Sequence, residues 1–108
     1  MAKTVLITGG SRGIGRACAI AFAQQGCQVA INYIHSKEKA EALAKELISQ
    51  GYSALAVGAD VSQKDQVETM FQQVEAAFGP VDILVNNAGI AQQKLFTDLT
   101  EEDWDRMF

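Results

Sequence analysis

Residues 4–15 read TVLITGGSRGIG, an apolar β-forming run that breaks into four glycines spread over the nine positions from Ile7 to Gly15. A run without polar alternation suits a strand buried on both faces of a parallel sheet. Beyond the glycines, Ile14, Ala17, Cys18, Ala21 and Phe22 recur at i, i+3, i+4, i+7 and i+8, the stripe of a helix that packs on one side. Strand, glycine turn and helix together gather unpaired backbone N–H groups and the positive end of a helix dipole at one point. Such a point is a seat for phosphate, although sterics alone also account for glycine in a tight turn.

The rest of the chain repeats the alternation. Gln28 to Tyr33 is a second apolar strand; Ala40, Leu43, Ala44, Leu47 and Ile48 mark a second helix, capped by Ser36 and ended by Gly51. A third strand is expected over about Ser53 to Val57. The segment DVSQKD follows, with Ser62 as N-cap of a third helix whose stripe is Val67, Met70, Phe71, Val74 and Phe78, stopped by Gly79 and Pro80. VDILV is a fourth strand and leads through NNAG into a loop. Thr100 with Asp103 then reads as a capping box for a fourth helix carrying Trp104, Met107 and Phe108. This order predicts an α/β fold: a doubly wound, Rossmann-type parallel sheet of about four strands with helices on both faces. The last stripe stops after about two turns, so residues 1–108 are expected to be one truncated half of such a domain.

Composition narrows the partners. Hydrophobic residues at 48% and charged residues at 20% match ordinary globular chains. Nine basic against thirteen acidic residues, spread along the chain, disfavour nucleic acid, which wants a concentrated basic surface. No apolar run approaches the length of a membrane span and no signal-peptide pattern opens the chain, so a cytoplasmic protein without a membrane partner is expected. Cys18 and Cys27 have neither CxxC spacing nor companion histidines, and are read as reduced packing thiols with no metal site.

Three phosphate-binding spacings compete for the glycine turn. The triphosphate loop G-x-x-x-x-G-K-[ST] matches Gly10 and Gly15, but Arg16 and Ala17 follow in place of a lysine and a magnesium-binding hydroxyl. The dinucleotide fingerprint G-x-G-x-x-G takes Gly13 and Gly15 and then meets Cys18 where glycine or alanine belongs. The spacing T-G-x-x-x-G-x-G fits without departure through Thr8, Gly9, Gly13 and Gly15. On these residues, together with NNAG, the whole chain resembles the short-chain dehydrogenase/reductase family, most closely its 3-oxoacyl-(acyl carrier protein) reductase branch.

The resemblance implies a set of cofactor-binding positions: Gly9, Ser11, Arg12, Gly13, Ile14 and Gly15 at the turn, Asn32, Tyr33 and Ser36 at the end of the second strand, Asp60 and Val61 at adenine, and Asn87, Ala88 and Gly89 along the crevice. Taken alone, Asp60 stays open between a turn former and an adenine ligand. Sites selective for NAD place Asp or Glu at the end of the second strand, to hold the ribose hydroxyls. That position here is Tyr33, with Arg12, Ser36 and Lys37 expected nearby, which favours NADP(H). Arg12 itself stays open between a phosphate ligand and a solvated turn residue. His35, the only histidine, follows the second strand and is read as a neighbour of the ribose phosphate or as solvent-exposed, not as catalytic.

The resemblance further implies hydride transfer between NADPH and a carbonyl, assisted by a serine and by a Y-x-x-x-K pair on a helix beyond Phe108. Tyr33 and Lys37 spell Y-x-x-x-K, but at a strand end and its loop, so the match is a coincidence of spacing. No catalytic residue is therefore assigned among these residues. The expected parent is a homo-oligomeric NADP-dependent oxidoreductase acting on the ketone of 3-oxoacyl thioesters, a small-molecule carbonyl or alcohol substrate carried on acyl carrier protein; the chain alone should be inactive. Two rival readings are a non-catalytic dinucleotide-binding module and an assembly fragment that self-associates through an exposed edge of the fourth strand.

Overall fold

Every residue of β1 (Thr4–Thr8) is buried, which is why the run carries no polar alternation. The computed structural model describes residues 2–9 and 13–86, together with the backbone of a short strand at 95–97. In chain order α1 (Gly13–Gln24), β2 (Gln28–Tyr33), α2 (Lys37–Ser49), β3 (Ala54–Gly58), α3 (Lys64–Phe78), β4 (Ile83–Asn86) and β5 (Leu95–Thr97) follow. The sheet order is β3-β2-β1-β4-β5. β1 pairs in parallel with β2 and β4, and β2 in parallel with β3. The chain therefore runs outward from β1 to β3 and returns to the other side of β1 for β4. This reversal is the switch point at which open α/β sheets bind ligands.

Strand alternation divides the core into two layers. Val5, Ile7, Val29 and Ile31 face α1 and α2, meeting Ala19, Ala23, Leu43 and Leu47. Leu6, Ala30, Val57 and Leu84 face α3, meeting Val67, Met70 and Val74. Each large aliphatic side chain buried this way contributes about 1.5–3 kcal/mol. Along α3, Phe71 and Phe78 complete the expected stripe as partly buried flanks.

Four local expectations are corrected. The buried side of α1 is Gly15, Ala19 and Ala23, flanked by Cys18 and Phe22, while Ile14, Ala17 and Ala21 are exposed. A helix of small apolar residues has no polar face to fix its phase, and close approach to the sheet selects the smallest residues at i, i+4 and i+8. On α2, Ile48 is likewise exposed, and Ser36 occupies the N-cap position without a side-chain cap bond; its carbonyl accepts the Ala40 N–H at 3.0 Å. The N-cap of α3 is Gln63, not Ser62, because Ser62 is drawn back to Asp60.

The fourth correction concerns the loop after NNAG. Its Leu95–Thr97 backbone pairs antiparallel with β4, matching Ile83 to Thr97 and Val85 to Leu95. β4 is thus not the sheet edge, and the self-association surface expected there is already occupied by β5. Three residues are too few for a period to register in sequence. The helix expected from Thr100 lies outside the described residues. Among the described residues no helix is long and apolar enough to cross a membrane.

Candidate functional site

The C-terminal ends of β1, β2, β3 and β4 form one crest, and side-chain bonds tie its members together. Thr8, fully buried at the end of β1, has its hydroxyl 3.1 Å from Asn86 Oδ1 and 3.3 Å from the Val85 carbonyl, so β1 and β4 are held at the switch point. Beyond Thr8 the chain enters the left-handed region, with φ of 64° at Gly9 and 62° at Gly13. L side chains avoid that conformation. Among the described residues, no atom outside its immediate chain neighbours and its own helix backbone lies within 4 Å of where a Gly13 Cβ would stand. Gly13 is the first residue of α1, and the N–H groups of a helix's first turn have no partner within the helix. Gly15 is buried against the sheet and Ile14 is exposed on the first turn. Ser11 and Arg12 lie outside the described residues.

At the end of β2, Asn32 is fully buried. Its Nδ2 donates to the Ala59 carbonyl at 3.1 Å and stands 3.4 Å from those of Val57 and Tyr33. Its Oδ1 is the one buried side-chain polar atom without a partner among the described residues. The Tyr33 ring packs, half-buried, on the layer that carries α1 and α2, and Tyr33 is registered opposite Gly58. Residues 28–37, which carry β2 and the chain after it, include no Asp or Glu. Ser36 and Lys37 follow at the start of α2; since Tyr33 ends a strand and Lys37 opens a helix, their Y-x-x-x-K spacing does not lie on one helical face.

At the exit of β3, Asp60 Oδ1 accepts the Ser62 hydroxyl at 2.6 Å and the Ser62 N–H at 2.9 Å, the turn-forming alternative of the sequence reading. These two bonds, the hydroxyl first, hold the Asp60 carboxyl below its ordinary value; the nearby charge of His35 adds to them, and slight desolvation opposes. The Asp60 N–H donates to Gln66 Oε1 at 2.8 Å, which anchors the same turn to α3. Val61 points into the core on the α3 side. Asn87, Ala88 and Gly89 continue directly from Asn86 and lie outside the described residues.

Sequence reasoning left out several members of this crest: the hydroxyl of Thr8, the side chains of Asn86 and Gln66, and the backbone at Gly58 and Ala59. A signal for Thr8 was present. On β1, alternation puts Thr4, Leu6 and Thr8 on one face, and a hydroxyl ending a buried strand needs a partner. No local signal marks Gly58, whose role follows from the β2–β3 register. Together the crest offers the N-terminus of α1 and the polar side chains of Thr8, Asn86, Asn32 and Asp60. No group of three or more His, Cys, Asp or Glu that could hold a metal occurs among the described residues.

A family model for short chain dehydrogenase matches residues 3–108. The 3-oxoacyl-[acyl-carrier-protein] reductase FabG of Staphylococcus aureus is 46% identical over 105 residues, 97% of this chain and 43% of that protein. Versicolorin reductase stcU of Emericella nidulans is 41% identical over 106 residues, 98% of this chain and 40% of that one. Among solved structures, a blue fluorescent protein from a metagenomic library, in complex with NADPH, has a TM-score of 0.77 and 40% identity over 96% of this chain and 43% of its own. The chain thus spans less than half the length of the curated relatives it matches.

Proposed function

This chain belongs to the short-chain dehydrogenase family, and from that premise we propose that residues 1–108 are the NADP-binding half of an oxidoreductase domain that reduces the ketone of 3-oxoacyl thioesters. The observation that carries the binding half of this proposal is Gly13: left-handed backbone, open space above it, and an α1 N-terminus at the switch point between β1 and β4. A phosphate group approaching there meets the N–H donors of a helix N-terminus and no side chain on Gly13 itself. Preference for NADP over NAD is supported by Tyr33, which stands where a carboxylate would hold the ribose hydroxyls and repel a 2′-phosphate.

In this proposal Gly9, Ser11, Arg12, Gly13, Ile14 and Gly15 surround the pyrophosphate. Arg12 and Ser36 receive the 2′-phosphate beside Tyr33, and Asn32 holds the crest in shape. Asp60, Val61, Asn87, Ala88 and Gly89 border adenine and its ribose. The cofactor, when bound, supplies hydride to a carbonyl carbon. These residues bind and orient; none is assigned a proton transfer. The substrate class is supported by the name of the Staphylococcus aureus relative, and acyl carrier protein is the partner that presents it.

Titration of NADPH and of NADH, followed by nicotinamide fluorescence, tests the binding half. NADPH should bind at least about tenfold more tightly, a difference of about 1.4 kcal/mol, and Arg12→Ala should close the gap. Equal affinities overturn the NADP assignment, and no binding of either at millimolar concentration overturns the dinucleotide reading. With a 3-oxoacyl thioester, the 108-residue chain should not oxidise NADPH; turnover by it would contradict the division between binding and chemistry.

A further inference from the structure

Tyr33 and Gly58 are the last registered pair of β2 and β3. Both lie on the face that carries α1 and α2, one alternation above Ile31 and Ala56. The Tyr33 ring fills the space a side chain at position 58 would take: a Cβ there would come within 2.9 Å of Cε2 and Cζ and 3.0 Å of the hydroxyl oxygen. Gly58 is a strand residue outside the left-handed region, so backbone conformation does not demand glycine. What demands it is the ring. Because β3 and β1 flank β2 on opposite sides, a ring resting on Gly58 is turned away from β1.

We propose that Gly58 is a positioning residue for cofactor choice: by seating the Tyr33 ring over β3, it keeps the space between the ends of β1 and β2 clear for a 2′-phosphate. This rests on the dinucleotide reading above. A Cβ at position 58 pushes the ring off its seat, and the directions left to it are back over β2 or up into the crest. A 2′-phosphate needs that volume for itself and its hydration. A free 2′-hydroxyl tolerates a phenol beside it and can hydrogen-bond to it. The loss therefore falls on NADPH rather than NADH, and it is transmitted through Tyr33.

The test measures dissociation constants for both dinucleotides in the purified protein and its Gly58→Ala, Gly58→Val, Tyr33→Ala and Gly58→Ala/Tyr33→Ala variants. Gly58→Ala should lower the NADPH-over-NADH affinity ratio about fivefold, and in the Tyr33→Ala background the same substitution should leave the ratio unchanged. Should the valine variant fail to fold, the alanine variant decides. A fall in both affinities with a constant ratio is general weakening of the fold and overturns the role of Gly58. So does an effect of Gly58→Ala that survives without the Tyr33 ring. A wild-type preference that Gly58→Ala leaves intact overturns the role of Gly58 alone; a wild-type protein that binds both without preference overturns the NADP assignment, one that binds neither overturns the dinucleotide reading, and this role falls with either.

Discussion

The side-chain amide of Asn32 donates to the Ala59 carbonyl at 3.1 Å, while the Ala59 N–H donates to the Tyr33 carbonyl at 3.0 Å. The exit of β3 is thereby laced to the end of β2 from both sides, just before Asp60 and Val61. The outline of the crest is held here by one buried amide, aimed at three carbonyl oxygens.

Asn32→Asp reverses that arrangement. A carboxylate buried among carbonyl oxygens is repelled and desolvated, so the variant should lose roughly 3 kcal/mol or more at neutral pH. Burial raises the folded-state pKa of the introduced carboxyl above its unfolded value. Stability of the variant is therefore greatest below the unfolded value and falls as pH rises through the folded one. Urea denaturation from pH 5 to pH 8 checks the sign. A variant as stable as wild type at pH 8 would show that the amide is not holding the crest.

The Asp60 carboxyl is depressed, first by the Ser62 hydroxyl and then by the Ser62 N–H. A depressed folded-state value gives a contribution that is present above the unfolded carboxylate value and disappears as pH falls through the folded one. Ser62→Ala removes the larger cause. An NMR titration of the Asp60 side-chain carbonyl carbon should then show its midpoint moving up toward the ordinary carboxylate range, with the accompanying loss of stability present at neutral pH and absent once pH falls below the folded-state value. An unmoved midpoint would mean that the hydroxyl bond is absent in solution.

The phase of α1 separates two neighbouring alanines. Ala19 is fully buried against the sheet and Ala17 is exposed. Ala19→Leu should cost about 2–3 kcal/mol by overpacking, whereas Ala17→Leu should stay within about 0.5 kcal/mol of wild type. On α2 the matching contrast is Leu47→Ala, about 3 kcal/mol, against Ile48→Ala, under about 1 kcal/mol, since Ile48 is 54% exposed. Denaturation midpoints of the four variants decide both helices. The reverse order in α1 would restore the stripe read from Ile14, Ala17 and Ala21.

These contrasts show where sequence carries structure and where it does not. The bounds of β1 and β2 were legible because burial on both faces leaves apolar runs whose ends are visible. The buried side of α3 was legible because glutamine and glutamate fill its other side. In α1 alanines stand all round and no polar face sets the phase. Ser62 looked like a cap because its competitor, Asp60, lies two residues upstream and outside any capping pattern. That β1 and β4 end side by side followed from element order, which places β4 next to β1. The work done by Asn32 and Gly58 depends on the register of β2 against β3, and no local pattern encodes it.

Gly13 separates stability from binding. At φ 62°, with no contact within 4 Å of a Cβ among the described residues beyond its own chain neighbours and helix backbone, alanine there takes on left-handed strain of about 1–2 kcal/mol. Asparagine tolerates this conformation better, so Gly13→Asn should be more stable than Gly13→Ala by several tenths of a kcal/mol. Ligand approach has the opposite logic, since the larger side chain occupies more of the space over the α1 N-terminus. Both variants should lose about tenfold or more in NADPH affinity, asparagine no less than alanine, although asparagine unfolds at the higher urea concentration. Thermal or urea unfolding alongside a fluorescence titration reads both quantities in one preparation. An asparagine variant that binds like wild type would show that glycine is there for its backbone angles alone, with phosphate seated elsewhere on the turn.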